Sequence, residues 1–367
     1  MGKVYQVALS LVEGIGSVLY KQLINNFGNA EEVFKAKKDR LLKISGIGSG
    51  VVENFKNTEF LLEKASKIIE QAQKEAAQIM VFTDEDYPSR LRGLYDSPAI
   101  LYKKGSVSLN HPRTVGIVGT RKATDYGLKI TNEIVEGLSH SNVQIISGLA
   151  LGIDGAAHRS AVENNLSTVG VMANGVDSVY PPSHAKLAET MLQNGALISE
   201  NPFGVQPLAA LFLARNRIIA GLSDVVIVVE SAKKGGAMVS AEFANNYNRE
   251  VFAVPGGLVN RYSEGCNRLL KENKAQIYTK VEDIIEALNW DLAQQVTSKK
   301  IKEPQIDLTR FTGEEVAVIS ILKKGEIQID ELSWQSQIPL NRMASLLLNL
   351  EFQGLVKALP GKKFSLK

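Results

Sequence analysis

A single cysteine, Cys266, stands among 367 residues, and a lone thiol excludes an internal disulfide framework or a zinc site built from several thiolates. Long apolar runs are missing as well, since no stretch approaches the roughly 18 residues of a membrane span. The opening MGKVYQVALSLVEGIG meets a glutamate soon after its short apolar run and lacks the long apolar region and cleavage site of a signal peptide. These absences predict a cytoplasmic protein with no membrane partner. An excess of charge is lacking too. The chain has 42 Lys+Arg against 39 Asp+Glu, a net +3. Nucleic-acid-binding domains often have a pI above about 9, so a polyanionic partner would have to meet cations concentrated in one groove.

What is present is a globular balance, 44% hydrophobic with 22% charged, in a chain too long for one domain of about 100–200 residues. Residues 1–78 carry apolar residues at helical spacing, interrupted by two turns, Gly14-Ile15-Gly16 and Gly46-Ile47-Gly48. From 79 to 290 short apolar runs alternate with amphipathic segments. Strands are predicted at 114–118, 143–147, 168–172, 196–199, 224–229 and 250–254, with helical patterns between them at 126–138, 152–164, 183–193 and 240–247. Valine- and isoleucine-rich strands alternating with helices predict an α/β fold with a doubly wound, mostly parallel sheet covered on both faces. Residues 291–308 are polar and aperiodic and read as a linker. Residues 309–367 offer three short helical patterns and then two strand-like pieces around Pro360-Gly361, the plan of a winged helix with 339–350 as its recognition helix.

Three glycine-bearing turns follow predicted strands. The first runs Gly119-Thr120-Arg121-Lys122 and opens a helix, whose free N–H groups and positive dipole end suit an anion. It matches neither G-x-G-x-x-G nor a P-loop, so it indicates no dinucleotide cofactor. The second contains Ser147-Gly148 and leads into GIDGAAHRSAVE, where Asp154 could cap the helix and shares a face with His158 at i,i+4. The third contains Lys233-Lys234-Gly235-Gly236. Between the second and third lies Phe212-Leu213-Ala214-Arg215-Asn216-Arg217, an aromatic beside two arginines and an asparagine. Such a set offers a single strand a face for a base and a fork for phosphate, although the same spacing also suits a core phenylalanine with a salt-bridged arginine. Ligands of open parallel sheets collect outside the strands' carboxyl ends, so the turns together predict one anionic-ligand site.

In this order the segments resemble the DprA (Smf) family of DNA-processing proteins. The match begins at Tyr87-Pro88 and Leu91, continues through DSPAILYKKG, VGIVGTRKATDYG, ISGLALGIDGAAH, Tyr180-Pro181-Pro182-Ser183-His184 and ISENP, and reaches RNRIIAGLS, 249–256, Ser263, Gly265, Asn267 and Leu269-Leu270. The resemblance implies an extended Rossmann-like domain behind a helix-hairpin-helix (SAM-like) front and a winged-helix tail. It implies single-stranded DNA as the ligand, handed to a RecA-type recombinase during natural transformation, and a homodimer. Gly119, Thr120 and Arg121 would hold a phosphate, Phe212 would accept a base, and Arg215 and Arg217 would support the groove. The segment Cys266, Asn267, Leu269, Leu270 would form the subunit interface. Two departures remove cations: Ala209 stands where many members carry lysine, and Pro182 where many carry a basic residue. Lys186, Lys233 or Lys234 would have to compensate. In the front, the G-I-G turns could meet a DNA phosphate or mediate protein contacts. The tail, with one Arg342 on its recognition helix, favours protein contact.

Other readings need other residues. A nucleoside-monophosphate hydrolase on this sheet would require a catalytic carboxylate, with Glu200 and Glu230 as candidates. A nuclease would require clustered carboxylates for metal ions, for which Asp84-Glu85-Asp86 is the one run. A transcription factor led by the tail would prefer duplex DNA. The expectation is binding without catalysis, cofactor or metal.

Overall fold

The structure is a computed structural model that describes residues 2–290, 311–323, 325–359 and 363–366. It divides into two compact units, Met1–Leu292 and Ala293–Lys367. The predicted linker 291–308 and the turn Pro360-Gly361 lie outside the described residues.

The first unit begins with six helices: α1 (Gly2–Ser10), α2 (Ser17–Phe27), α3 (Ala30–Lys35), α4 (Lys38–Leu41), α5 (Ser49–Asn54) and α6 (Thr58–Lys74). The two G-I-G turns bury Ile15 and Ile47, and Gly16 and Gly48 stand at the N-caps of α2 and α5. The helices share one apolar cluster with the sheet that follows, through Val81, Ile100, Tyr102 and Leu197.

Strands and helices then alternate: β1 (Ala77–Val81), α7 (Ser89–Arg92), β2 (Ile100–Lys104), β3 (Thr114–Val118), α8 (Asp125–Leu138), β4 (Gln144–Gly148), α9 (Ile153–Glu163), β5 (Ser167–Val171), α10 (Ala185–Met191), β6 (Gly195–Ser199), α11 (Ala209–Leu222), β7 (Val225–Val228), α12 (Gly236–Asn246), β8 (Glu250–Ala253), α13 (Glu264–Lys271), β9 (Gln276–Ile277) and α14 (Val281–Ala287). The sheet order is β1-β2-β6-β5-β4-β3-β7-β8-β9. Every pairing from β6 to β9 is parallel, whereas β2 runs antiparallel to both β1 and β6. Each of the six strands predicted from sequence is present, and the sheet is doubly wound as expected. β1, β2 and β9 were not read from the sequence. β9 is two exposed residues, and β1 shows only a half-buried, mixed pattern.

Side chains of β3 alternate as a pleated strand requires. Val115 and Ile117 join α8, α9 and α14 on one face, while Val118 joins α11, α12 and α13 on the other. Covering both faces is what makes these strands read as continuous apolar runs. Helix α11 is apolar on most sides because it lies against β3, β4 and β5 as well as α12.

The second unit contains α15 (Gly313–Leu322), β10 (Ile327–Gln328), α16 (Ile329–Ser336), α17 (Leu340–Phe352), β11 (Val356–Leu359) and β12 (Lys363–Leu366), with the strands in the order β10-β12-β11. This is a winged helix. Thr312 and Glu315 form a capping box at the start of α15, and Val318, Leu332, Met343, Leu347 and Leu350 fill the core.

Candidate nucleic-acid interface

From β3 the chain winds outward to β4, β5 and β6, and α11 then carries it back across the sheet to β7 on the other side of β3. The order therefore reverses between β3 and β7, and the loops leaving those two strands part to form a crevice, the usual ligand position of an open parallel sheet. A groove of about 750 Å3 lies there. Its walls are Gly119–Lys122 from the loop after β3, Phe212, Arg215 and Asn216 from α11, Ser231, Gly235 and Gly236 after β7, and Arg261 and Tyr262 after β8.

The loop after β3 is held from behind. The Glu230 carboxylate accepts from the Thr124 backbone N–H at 2.9 Å and from its hydroxyl at 2.6 Å, and the Thr124 hydroxyl in turn accepts from the Gly127 N–H, capping α8. The Thr120 N–H donates to the Glu230 carbonyl at 2.8 Å. With the backbone pinned, Arg121 and Lys122 are left exposed. The Arg121 guanidinium lies over the Phe212 ring, 4.9 Å from its centroid, and the Tyr180 ring tilts against the Phe212 ring, their centroids 5.7 Å apart at 57°. Phe212 is half-buried, so part of its ring borders the groove.

Beneath this rim Ser147 and Gly148 lie in the interior, while Ala150 of the same turn lines the groove. Ser147 is fully buried and donates to the Ile117 carbonyl at 2.5 Å. Gly148 has no side chain because none would fit: a Cβ there would fall 1.8 Å from a guanidinium nitrogen of Arg215 and 2.4 Å from the Asp154 carboxylate. A Cβ on Gly119 would likewise meet Ile153 at 2.4 Å. Gly119 thus lets the loop abut α9, whereas the sequence reading had it admitting a ligand. Asp154 does not cap its own helix, whose N-cap is Gly152. Burial raises its carboxyl above the usual range, opposed by the Arg215 charge and by hydrogen bonds from the Ala150 and Gly119 N–H groups, so it ties two rim loops together.

Asp154 and His158 form no acid–base pair, because each is engaged elsewhere. His158 Nε2 lies 2.6 Å from the Gly148 carbonyl and Nδ1 lies 2.7 Å from the Thr168 hydroxyl. Burial pushes the imidazole down to about 3. A neutral ring has one N–H, so Nε2 donates to the Gly148 carbonyl and Nδ1 accepts from the Thr168 hydroxyl, whose one hydrogen is shared with the Ile145 carbonyl at 3.1 Å.

The two arginines expected in the groove part company. Arg215 is buried and donates to the Val171 carbonyl at 2.8 Å, at the groove floor, with its Nε lacking a protein partner. Arg217 turns away and pairs with Glu200 at 2.5 Å, both side chains less than a fifth exposed. Asn216, nearly buried, donates to the Gly236 carbonyl at 3.1 Å and joins α11 to the third turn. Lys233 and Lys234 are exposed but do not line the groove, whereas Gly236 opens onto free space. Both carboxylates offered as hydrolase acids hold structure, Glu200 through Arg217 and Glu230 through Thr124. In the acidic run, Asp84 accepts from Lys3 and Asp86 from Gln78. Among the described residues no three His, Cys, Asp or Glu side chains gather as a metal site would require.

The expected subunit interface needs correction. Cys266 and Leu269 point into the chain's own core, Cys266 with its thiol against the Val228 and Val229 carbonyls, so neither is available to a second copy. Asn267 and Leu270 remain half-buried. The amphipathic spacing of α13 marks an apolar stripe without saying which apolar surface covers it. Sequence reading also missed Arg261 and Tyr262, and it named Tyr180 only as part of the family match and not as a groove residue. The carboxyl-end rule points to Arg261 once applied to the loop after β8, and it adds the groove cation that Ala209 and Pro182 do not.

A doubly wound sheet whose switch-point groove joins exposed cations to an aromatic face defines a Rossmann-like protein. The sequence pattern of the DNA recombination-mediator protein A family matches residues 78–289, and that of the DprA winged helix domain matches residues 303–362. The chain belongs to this family. It is 31% identical to protein Smf of Synechocystis over 98% of both chains, and 33% identical to DNA processing protein DprA of Streptococcus pneumoniae over 69% of this chain and 96% of that one. The X-ray structure of the pneumococcal protein superposes with a TM-score of 0.61 at 29% identity, covering 77% of this chain and 96% of that one. DNA processing protein A from Helicobacter pylori, a structure concerned with its mode of single-stranded DNA binding, matches with a TM-score of 0.53 at 33% identity, covering 59% of this chain and 96% of that one. Among the described residues no helix is long and apolar enough to cross a membrane.

Proposed function

We propose that the protein binds single-stranded DNA in the switch-point groove, leaves it chemically intact, and passes it as a homodimer to a RecA-type recombinase in the cytoplasm. The observation that carries this reading is the Arg121 guanidinium over the half-exposed Phe212 ring, in a groove that also holds Lys122 and Arg261. A flexible strand can lay a base on the aromatic and a phosphate against the cations at once, which a stacked duplex does not allow. Arg121, Lys122, Phe212 and Arg261 make the contacts, and Gly236 admits the backbone. Arg215, Asn216, Ser147 and Gly148 hold the floor in shape. The groove of the 79–290 domain does this work, and the winged tail meets other partners. The family's recombination-mediator role and the single-stranded DNA bound by the Helicobacter relative support the ligand and the recombinase.

Titration of fluorescent single- and double-stranded oligonucleotides, with and without Mg2+, followed by inspection of the products, tests the proposal. Single-strand preference, steep salt dependence and intact DNA are expected. Preference for duplex, cleaved products, or turnover of mononucleotides would overturn it. Light scattering of the purified chain, free and with recombinase, tests the assembly.

A further inference from the structure

The geometry at Arg121 and Phe212 recurs elsewhere in the same unit. Phe27, the last residue of α2, is half-buried, and the Arg40 guanidinium stands over its ring 5.0 Å from the centroid, against 4.9 Å in the groove. The two residues line a hollow of about 460 Å3 with Lys35, Lys37, Asn26 and Glu32. Five cations, Lys35, Lys37, Lys38, Arg40 and Lys43, crowd into nine residues that contain one carboxylate, Asp39. Lys35 is held by Glu31 and Glu32, and Lys38 by Glu53. Lys37, Arg40 and Lys43 are exposed and pair with no carboxylate among the described residues. Of these, Lys37 and Arg40 share the hollow with the ring, and helix packing does not explain them, because the fold gains nothing from keeping like charges together.

Resting on the single-strand reading above, we infer that this Phe27–Arg40 hollow is a second contact for single-stranded DNA. Lys37 and Arg40 take phosphates, and the Phe27 ring takes a base. It differs from the G-I-G turns, whose isoleucines are buried, and it involves no helix amide. A base on an aromatic face with cations on the backbone is the sequence-tolerant way to hold an unpaired strand. An acidic protein segment would satisfy the cations but make no use of the part of the Phe27 ring that the core leaves open.

The full chain, its Lys37→Ala/Arg40→Ala and Phe27→Leu variants, and a Lys64→Ala/Lys74→Ala control on exposed positions of α6 are titrated with fluorescent dT6 and dT40. The control removes the same charge from the same unit. For dT40 the double variant should bind more weakly, with a salt slope less steep by about 1.4, so that the advantage of the unaltered chain shrinks about sevenfold between 50 and 200 mM salt. Phe27→Leu should weaken dT40 without changing that slope. Binding of dT6 and the control's behaviour should stay within twofold of the unaltered chain. The inference is overturned by unchanged dT40 binding, by an equal effect in the control, by equal losses on both lengths, or by a patch that instead captures a poly-glutamate peptide. If the unaltered chain binds neither oligonucleotide, the groove reading itself falls. If it binds both and the variants match it, only this second contact falls.

Discussion

Arg121 and Phe212, 91 positions apart in sequence, meet because β3 and the amino-terminal turn of α11 deliver them to the same rim, the guanidinium 4.9 Å from the ring centroid. The pair couples charge and stacking, and substitution separates them. Arg121→Ala should weaken single-strand binding and flatten the log–log salt dependence by about 0.7, the contribution of one phosphate. Phe212→Ala should cost about 1–3 kcal/mol with little change in slope, and Phe212→Trp should recover most of it. Anisotropy titrations at four salt concentrations measure both. A Phe212→Ala protein that is folded and binds normally would return the ring to the core.

The glycines around the groove should behave in two ways. Gly119→Ala and Gly148→Ala place a methyl against Ile153 and against the Arg215 guanidinium, respectively. Each should lose about 1–3 kcal/mol of stability, as overpacked positions do. Gly236→Ala meets nothing within 4 Å. Its stability should hold, and any loss of oligonucleotide affinity there would report the approach of the strand's backbone. Thermal melting beside anisotropy sorts the three.

The sheet was legible because β3 to β8 are buried on both faces and announce themselves as valine- and isoleucine-rich runs between amphipathic helices. The first turn was legible because the glycine and cations of 119–122 sit directly after such a strand. What spacing could not settle was direction. Arg215 and Arg217 are two apart on α11, about 200° around a helix, so one enters the groove floor and the other turns to Glu200. Cys266 and Leu269 carried the same ambiguity, since an apolar stripe fits a neighbouring helix as well as a second subunit. Arg261 went unread because its loop contains no motif of its own. It matters only through where β8 ends.

His158 gives a pH signature to the fold. Its imidazole is neutral in the folded protein, pushed by burial to about 3, while in the unfolded chain it protonates near 6.5. The depressed folded value means that this contribution to stability is complete above pH 6.5 and drains away as the pH falls toward 3, by on the order of 1 kcal/mol per pH unit. Carboxylate protonation adds to the loss at lower pH, so the histidine is read from denaturant midpoints between pH 6.5 and 5 as the difference from a His158→Gln protein. Nitrogen chemical shifts should show an Nε2-protonated neutral ring still present at pH 5. A ring that titrates near 6.5 in the folded protein would contradict the buried hydrogen bonds to Gly148 and Thr168.

Arg217 provides the converse of Arg121, a cation near the groove whose work is structural. It pairs with Glu200 at 2.5 Å, and both side chains are more than four-fifths buried. Arg217→Ala strands the carboxylate, and removing one partner of a buried pair costs about 3–5 kcal/mol, the lower end applying here because some solvent reaches both groups. At roughly 2–4 °C per kcal/mol for a unit of this size, the melting temperature should drop by several degrees. Glu200→Gln, which keeps shape and a hydrogen-bond acceptor, should lose less. The decisive comparison is the salt slope of single-strand binding for Arg217→Ala, measured below its melting range. It should match the unaltered protein, because Arg217 meets no phosphate. A slope flattened by about 0.7 in a folded Arg217→Ala protein would show that the guanidinium leaves Glu200 when the strand arrives.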